Sequence, residues 1–418
     1  MALRLVLAVL TTAMFGEPSQ AATRRAASLG SAAAFQPSPT YISPASDSPK
    51  VQTARHLLAQ HNPELAAQTL ADAIHDNPTD GPAYLLLGEI LNDNNRSNDA
   101  VDPLTTAVRL LPDSAEAHNA LGEALNNLNS LAPAQAEFEK ALQLSPNMPL
   151  AHLNLGMVLA ETEQLAPAAE HLDIAIAKLG TTPDAARAHY LRAKVYTDLS
   201  QIDSASAQLS LAVKIAPDFA EAWSDLGAAR KTLLDDAGAL TAFERAVTLS
   251  PSDPVALSRL GNELYHQGKL KRAIAELEKA RNLSPKDQTT LNALQASLRA
   301  DGQTQRANQV KSDLITVLRE RDQRQQIELS LMRLNDEAAQ LEKAGDPKAA
   351  LDKYRQALQL DPEDVTIRVN LAIALLRLGQ WKDGLSQLAE SMRRRPGDPT
   401  IKAAWDDALR QAPPGSWP

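Results

Sequence analysis

Along this chain a large apolar side chain is followed three residues later by alanine, over and over: Leu70 and Ala73, Phe138 and Ala141, Phe243 and Ala246, Leu277 and Ala280. That interval puts both members of each pair on one face of a helix. The helical stretches close on prolines, and the prolines are regular. Pro78, Pro112, Pro146, Pro217, Pro251, Pro285, Pro362 and Pro396 are separated by 34, 34, 71, 34, 34, 77 and 34 residues. The intervals of 71 and 77 each hold one further unit with an insertion. Proline lacks the N–H that carries a helix onward, so it fixes where the last helix of each unit stops.

Small residues obey the same period. The second-helix slot is filled by Ala66, Ala100, Ala134, Ala168, Ala205, Ala239, Ala273, Ala307, Ala350 and Gly384, and the first helices carry Leu87-Gly88, Leu121-Gly122, Leu155-Gly156, Leu226-Gly227 and Leu260-Gly261. A missing side chain is what lets two crossing helices nest closely. The pattern therefore predicts about ten helix-turn-helix units. The Leu and Phe slots are expected to fill the seam against the next unit. A lone hairpin leaves an apolar face uncovered, so the units must stack on their neighbours.

Two departures change the prediction. The fourth unit gains three residues near 180–182, and the eighth, from Gln288, has Gln295 in the glycine slot, Lys311 in the aromatic slot and no terminal proline. From Gln303 to Ala344 there is neither proline nor glycine, while Val310, Leu314, Val317, Ile327, Leu331, Leu334, Ala338 and Leu341 keep helical spacing. One long helix is expected here, about 60 Å if continuous, or two with a mild break.

The unit from Ala220, with Trp223, Leu226, Gly227, Ala239, Phe243, Ala246 and Pro251, resembles the tetratricopeptide repeat family, whose pattern is W-x2-L-G-x2-Y…A-x3-F…P over 34 residues. The resemblance covers roughly residues 47–411. It implies an all-α, right-handed superhelical solenoid whose concave groove, lined by first helices, binds extended peptides. By that resemblance the second to fourth units contribute Leu85, Leu86, Glu89, Asn92, Glu116, Asn119, Glu123, Asn126, Leu153, Asn154 and Met157. The fifth to seventh contribute Arg187, Tyr190, Lys194, Lys231, Arg259, Asn262 and Tyr265. Some family members clamp a C-terminal carboxylate with lysines, asparagines and an arginine. Asn154 and Asn370 occupy one such asparagine slot, but the cationic slots hold Asn119, Arg187 and Leu191, so that clamp is not reproduced.

The organisation expected along the chain starts with an export signal over 1–21. Arg4 gives it a basic start, Leu5 to Phe15 an apolar run and Ser19 with Ala21 a cleavage site. That run is too short for a bilayer, which takes roughly 20 residues. An Ala/Ser/Pro linker over 22–48 follows, then a first array over 49–302 and a helical connection over 303–330. Further units over 331–398, a capping helix over 399–412 with Asp406, Asp407 and Arg410 outward, and an unstructured tail over 413–418 complete it. A periplasmic or secreted location follows from the signal, and a cytoplasmic one if that segment is not a signal.

Composition narrows the chemistry. With no cysteine, disulfides, thiolate metal sites and cysteine nucleophiles are excluded. A net charge of −9 argues against a nucleic-acid partner. The acidity is local: residues 51–180 hold 5 basic and 17 acidic side chains, which suits a partner with basic segments. His118, His152 and His189 share the slot that Trp223 fills later. A pH-sensing ladder is conceivable there, but packing between paired helices is the commoner fate of such residues. None of the phosphate-loop, dinucleotide, zinc-protease or nucleophile-elbow motifs occurs. The expectation is a non-catalytic scaffold for protein or peptide partners, without cofactor or metal. An oligomeric spacer or assembly factor is the second reading and an enzyme with an unrecognised groove site a distant third; the oligomeric state is open.

Overall fold

Helix starts follow the capping residues. Ser48, Asp80, Ser114 and Asp364 accept hydrogen bonds from the backbone amides of Val51, Ala83, Ala117 and Ile367 at 3.4, 3.1, 3.1 and 2.8 Å, satisfying donors that a helix N-terminus otherwise leaves orphaned. The computed structural model describes residues 47–395, 398–413 and 415. The export signal over 1–21, nearly all of the linker and most of the tail lie outside the described residues. The linker's last two residues belong to the folded part: Ser48 caps the first helix, and Asp47, 8% exposed, accepts from Arg55 Nε at 2.8 Å.

Among the described residues there are twenty helices and no strand. They form two compact units, one taking in 47–285 and 296–302, the other 286–295 and 303 onward. In the first, hairpins follow as α1 (Pro49–Ala59) with α2 (Pro63–Asp76), α3 (Gly81–Asp93) with α4 (Ser97–Leu110), α5 (Ala115–Asn127) with α6 (Leu131–Leu144) and α7 (Pro149–Glu161) with α8 (Leu165–Leu179). Then come α9 (Pro183–Asp198) with α10 (Ile202–Ile215), α11 (Ala220–Thr232) with α12 (Asp236–Leu249), and α13 (Pro254–His266) with α14 (Leu270–Leu283). Helix α15 is Gln288–Ala300. The second unit holds α16 (Thr304–Lys343), α17 (Pro347–Leu360), α18 (Val365–Arg377), α19 (Trp381–Arg394) and α20 (Pro399–Gln411).

The glycine slot works within the hairpin. A methyl group built on Gly88, Gly122, Gly156, Gly227 or Gly261 would come within 2.3–2.7 Å of Leu104, Phe138, Leu172, Phe243 or Leu277. In these five hairpins the large side chain of the second helix thus lies over the bare backbone of its own first helix, not only against the next unit as the sequence pattern suggests. Leu104, Phe138 and Leu172 are fully buried. At about 25 cal/mol per Å² of apolar area, such residues supply most of the drive to pair the helices.

Each first helix ends alike. The turn residue has positive φ in every hairpin: His61, Asn95, Asn129, Glu163, Ser200, Leu234, Gly268, Gly302, Gly345 and Gly379. In the sixth hairpin Asp235 N donates to Arg230 O at 2.9 Å and Leu234 N to Lys231 O at 3.1 Å, the paired bonds of a left-handed helix end.

The histidine slot is structural. His118 and His152, like Trp223, place a ring nitrogen 3.0–3.2 Å from the carbonyl of the proline six residues earlier. Each ring then meets its own second helix through Nδ1, His118 at Glu137 (2.6 Å), His152 at His171 (2.9 Å) and His189 at Gln208 (2.6 Å).

In the second unit the absence of helix breakers between 303 and 344 gives one continuous helix of 40 residues, α16. Its last turns carry Leu331, Leu334 and Ala338 into a core with Leu351, Tyr354 and Ile367. Residues 321–329 are exposed on every side. Helix α20 packs on α19, with Ala408 buried against Leu385 and Leu388 and with Asp406, Asp407 and Arg410 exposed.

Candidate functional site

First helices of the first unit lie side by side: α3 touches α5, α5 touches α7, α7 touches α9, and α11 touches α13. Their apolar side chains go inward. Leu85, Leu86 and Leu153, expected as lining, are 0, 3 and 2% exposed and sit in the core with Leu87, Ile90 and Leu155. The polar layer beside them is also largely covered, with Asn119, Asn154 and Tyr190 at 6, 3 and 7% exposure.

At its centre Asn154 Nδ2 donates to Asn119 Oδ1 at 3.1 Å and to Glu123 Oε1 at 2.6 Å, while Asn119 Nδ2 donates to Glu123 Oε1 at 3.1 Å. Further along, Tyr190 donates its hydroxyl to Asp225 Oδ2 at 3.0 Å, and Arg259 donates to Asp225 Oδ1 at 2.7 Å and Ser224 Oγ at 2.8 Å. Burial, then the Asp225 charge, push the Tyr190 phenol far above its ordinary value. Asn119–Asn154, Tyr190–Asp225 and Ser224–Arg259 are all 35 residues apart. The same offset recurs in the second unit, where Asn370 Nδ2 donates to Asn335 Oδ1 at 2.8 Å. Side chains 35 residues apart thus bridge the α5–α7, α9–α11 and α11–α13 seams of the first unit and the α16–α18 seam of the second.

Charge is unevenly spread over the face. Burial raises the Glu89 carboxyl from 4.5 to about 8, with Arg55 opposing and the charges of Glu123, Asp93 and Glu116 adding to the rise. Burial also raises Glu123, in spite of its bonds to Asn154 and Asn119 and the nearby Arg187. Asp93 rises for the same reason. Glu116 is half-buried and accepts from Ser114 Oγ at 3.0 Å. Asn92 donates from Nδ2 to Ala120 O at 3.1 Å, and the side-chain oxygens of Asn92 and Asn126 are buried without a partner.

Cations follow. Arg187 Nη2 lies 3.4 Å from Met157 Sδ. Lys194 is exposed, with Nζ 5.9 Å from the centre of the Tyr190 ring. Lys231 is already paired, with Asp236 at 2.7 Å and Glu263 at 3.0 Å, and the bond to Asp236 leads in raising its pKa. Asn262 and Tyr265 are half-buried, the latter set edge-on to His266.

Three contributors were not singled out in the sequence. Asp225 joins Tyr190 to Arg259, Asp93 adds to the acidic end, and Glu221 is raised by burial. The signal for Asp225 was the 35-residue offset from Tyr190, which no single hairpin displays.

Tetratricopeptide repeat models match residues 57–124, 115–148, 153–220, 190–254, 254–287 and 341–404, well over half of the sequence. The chain belongs to the tetratricopeptide repeat family. It is accordingly a protein-interaction scaffold of a generally non-catalytic family. Similar solved structures include pilF of Pseudomonas aeruginosa, 17% identical over 51% of this chain and 95% of that one, with a TM-score of 0.47. A tetratricopeptide repeat protein of Parabacteroides merdae is 15% identical over 60% of this chain and 97% of its own, with a TM-score of 0.45. PilW, described as a widely conserved type IV pilus biogenesis factor, is 23% identical over 50% of this chain and 96% of its own, also at 0.45. No curated protein matches the sequence. Among the described residues no tetratricopeptide helix is long and apolar enough to cross a membrane.

Proposed function

We propose that this tetratricopeptide chain holds protein partners as extended segments on its first-helix face, in the cell envelope or outside the cell. The observation that carries the reading is the polar face itself. Amides, carboxylates and cations are held in place by bonds between neighbouring first helices, while the leucines of the same helices are buried. Pre-set donors and acceptors suit a peptide backbone, whose own N–H and C=O groups need partners on docking. The acidic end over 51–180 supports a partner with basic segments, and Arg4 with the apolar run to Phe15 supports export.

Photocrosslinking tests the binding face. A photoreactive phenylalanine at Lys194 or Asn262 should join the chain to partner proteins in native extract, and the same group at Lys140, exposed on α6, should not. Equal yields from both faces would remove the reading. N-terminal sequencing of the chain from its native host tests export, with mature protein beginning after Ala21 as the expected result.

One observation favours a second reading, an oligomeric spacer: α16 leaves Ile315, Leu329 and Met332 at 39, 50 and 60% exposure. Sedimentation showing a stable monomer at micromolar concentration would dismiss it.

A further inference from the structure

The buried side chains of α16 include Val310, Leu314, Leu331, Leu334 and Ala338. A different stripe of the helix carries Ile315, Leu318, Asp322, Gln325, Leu329 and Met332, at alternating intervals of three and four residues. That alternation holds all six on one narrow line, the spacing by which two helices pack along their length. Ile315, Leu329 and Met332 are 39, 50 and 60% exposed, Leu318 is half-buried, and Asp322 and Gln325 are exposed.

The order of residues on this line says what covers it. From either end it reads two apolar residues, two polar, two apolar. Laid head to tail on a second copy, Ile315 meets the second copy's Met332, Leu318 its Leu329, and Asp322 its Gln325. A two-fold axis demands this reciprocity, residue i on j and j on i. The Gln325 amide donates where the Asp322 carboxylate accepts. On one flank Arg321 and Glu328 come together twice with opposite charge. Within the chain Arg321 pairs with its neighbour Asp322 at 3.3 Å, both more than half exposed, an ion pair that solvent leaves weak.

Other pairings fit worse. A parallel pair sets the two Asp322 carboxylates against each other. A head-to-tail pair slipped by seven residues sets Asp322 against Leu318 or Met332. A polar residue on a packing line is the usual means of fixing register and orientation.

Resting on the oligomeric-spacer reading above, we propose that α16 is the seam of an antiparallel homodimer, in which Ile315, Leu318, Leu329 and Met332 of two copies pack on either side of a reciprocal Asp322–Gln325 pair.

The chain has no cysteine, so introduced thiols report the orientation directly. Mixing the full-length variants Ile315→Cys and Met332→Cys should give a crosslinked dimer with a short bismaleimide. Ile315→Cys alone should not, because its two thiols would lie about 25 Å apart along the seam. Crosslinking of Ile315→Cys alone, without the mixed product, would mean a parallel pair and overturn the proposal.

Sedimentation of the unaltered chain at micromolar concentration should show a dimer that dissociates on dilution. Leu329→Ser/Met332→Ser should weaken it at least tenfold. Ile327→Ser/Leu360→Ser removes as many exposed apolar residues away from the line and should stay within twofold. Arg321→Glu should weaken the dimer, and adding Glu328→Arg should restore it. Equal losses from the two serine pairs would reduce the effect to general stickiness and overturn the seam. A monomer at every concentration would remove both this inference and the spacer reading. A dimer that ignores the seam variants and gives no crosslink between positions 315 and 332 would keep the spacer reading and remove this one alone.

Discussion

Phe138 covers Gly122 so closely that a methyl group on the glycine would sit 2.6 Å from the ring. Alanine is ordinarily the better helix former by about 1 kcal/mol. Here Gly122→Ala should instead destabilise by about 1–3 kcal/mol, the usual cost of overpacking a filled core. Urea denaturation with an unchanged slope would report it, and a gain in stability would show that the hairpin is looser than described.

Leu234 offers the reverse case. It holds φ +63° at 85% exposure, in the slot that four later hairpins fill with glycine. Left-handed backbone costs a side-chain-bearing residue about 1–2 kcal/mol, partly offset by the larger freedom glycine has when unfolded. Leu234→Gly is expected to gain about 0.5–1 kcal/mol, and Leu234→Val to lose stability. Calorimetry on the two variants checks both signs.

Stability should also fall as pH rises across the range where Glu89 titrates. Its carboxyl has a value of 4.5 when unfolded and about 8 when folded, so between those values the folded chain holds more protons. The associated stability is fully present below 4.5 and is lost on passing 8. Glu89→Gln should flatten the decline of Tm between pH 5 and 8.5, without abolishing it because Glu123, Asp93 and Glu221 shift the same way. Parallel curves for variant and parent would refute the assignment.

Asp225 serves two donors, and its replacement should cost more than the loss of either. Tyr190→Phe removes one bond and leaves Asp225 with Arg259, for a loss of about 1 kcal/mol. Asp225→Ala strands the Tyr190 hydroxyl and frees Arg259, for about 2–3 kcal/mol. A double-mutant cycle between Tyr190 and Asp225 should show coupling; additive losses would mean the bond contributes nothing.

The helices were legible because their punctuation is local. Pro78 and the small-residue slots act within or at the end of one hairpin, and the missing breakers from 303 to 344 foretell α16. The left-handed turns at Asn95 and Ser200 were hidden, since such residues are common and backbone handedness is imposed by the helix end. Faces were harder. In α7 residues 151–159 are all buried, so apolar spacing cannot tell the inward side from the outward one, and the family resemblance alone places Leu153 in the groove. The bond between Asn119 and Asn154 depends on how neighbouring hairpins are shifted, which no single repeat encodes.

The constant 34-residue period of most hairpins makes them interchangeable parts. Excising residues 115–148 would remove one whole period and set α3 beside α7, the Leu104 seam continuing onto Leu155 much as it now continues onto Leu121. Glu89 would then look across at Met157 rather than Glu123. A chain of this design can change its recognition chemistry by gaining or dropping a module, with no redesign of the frame that carries it.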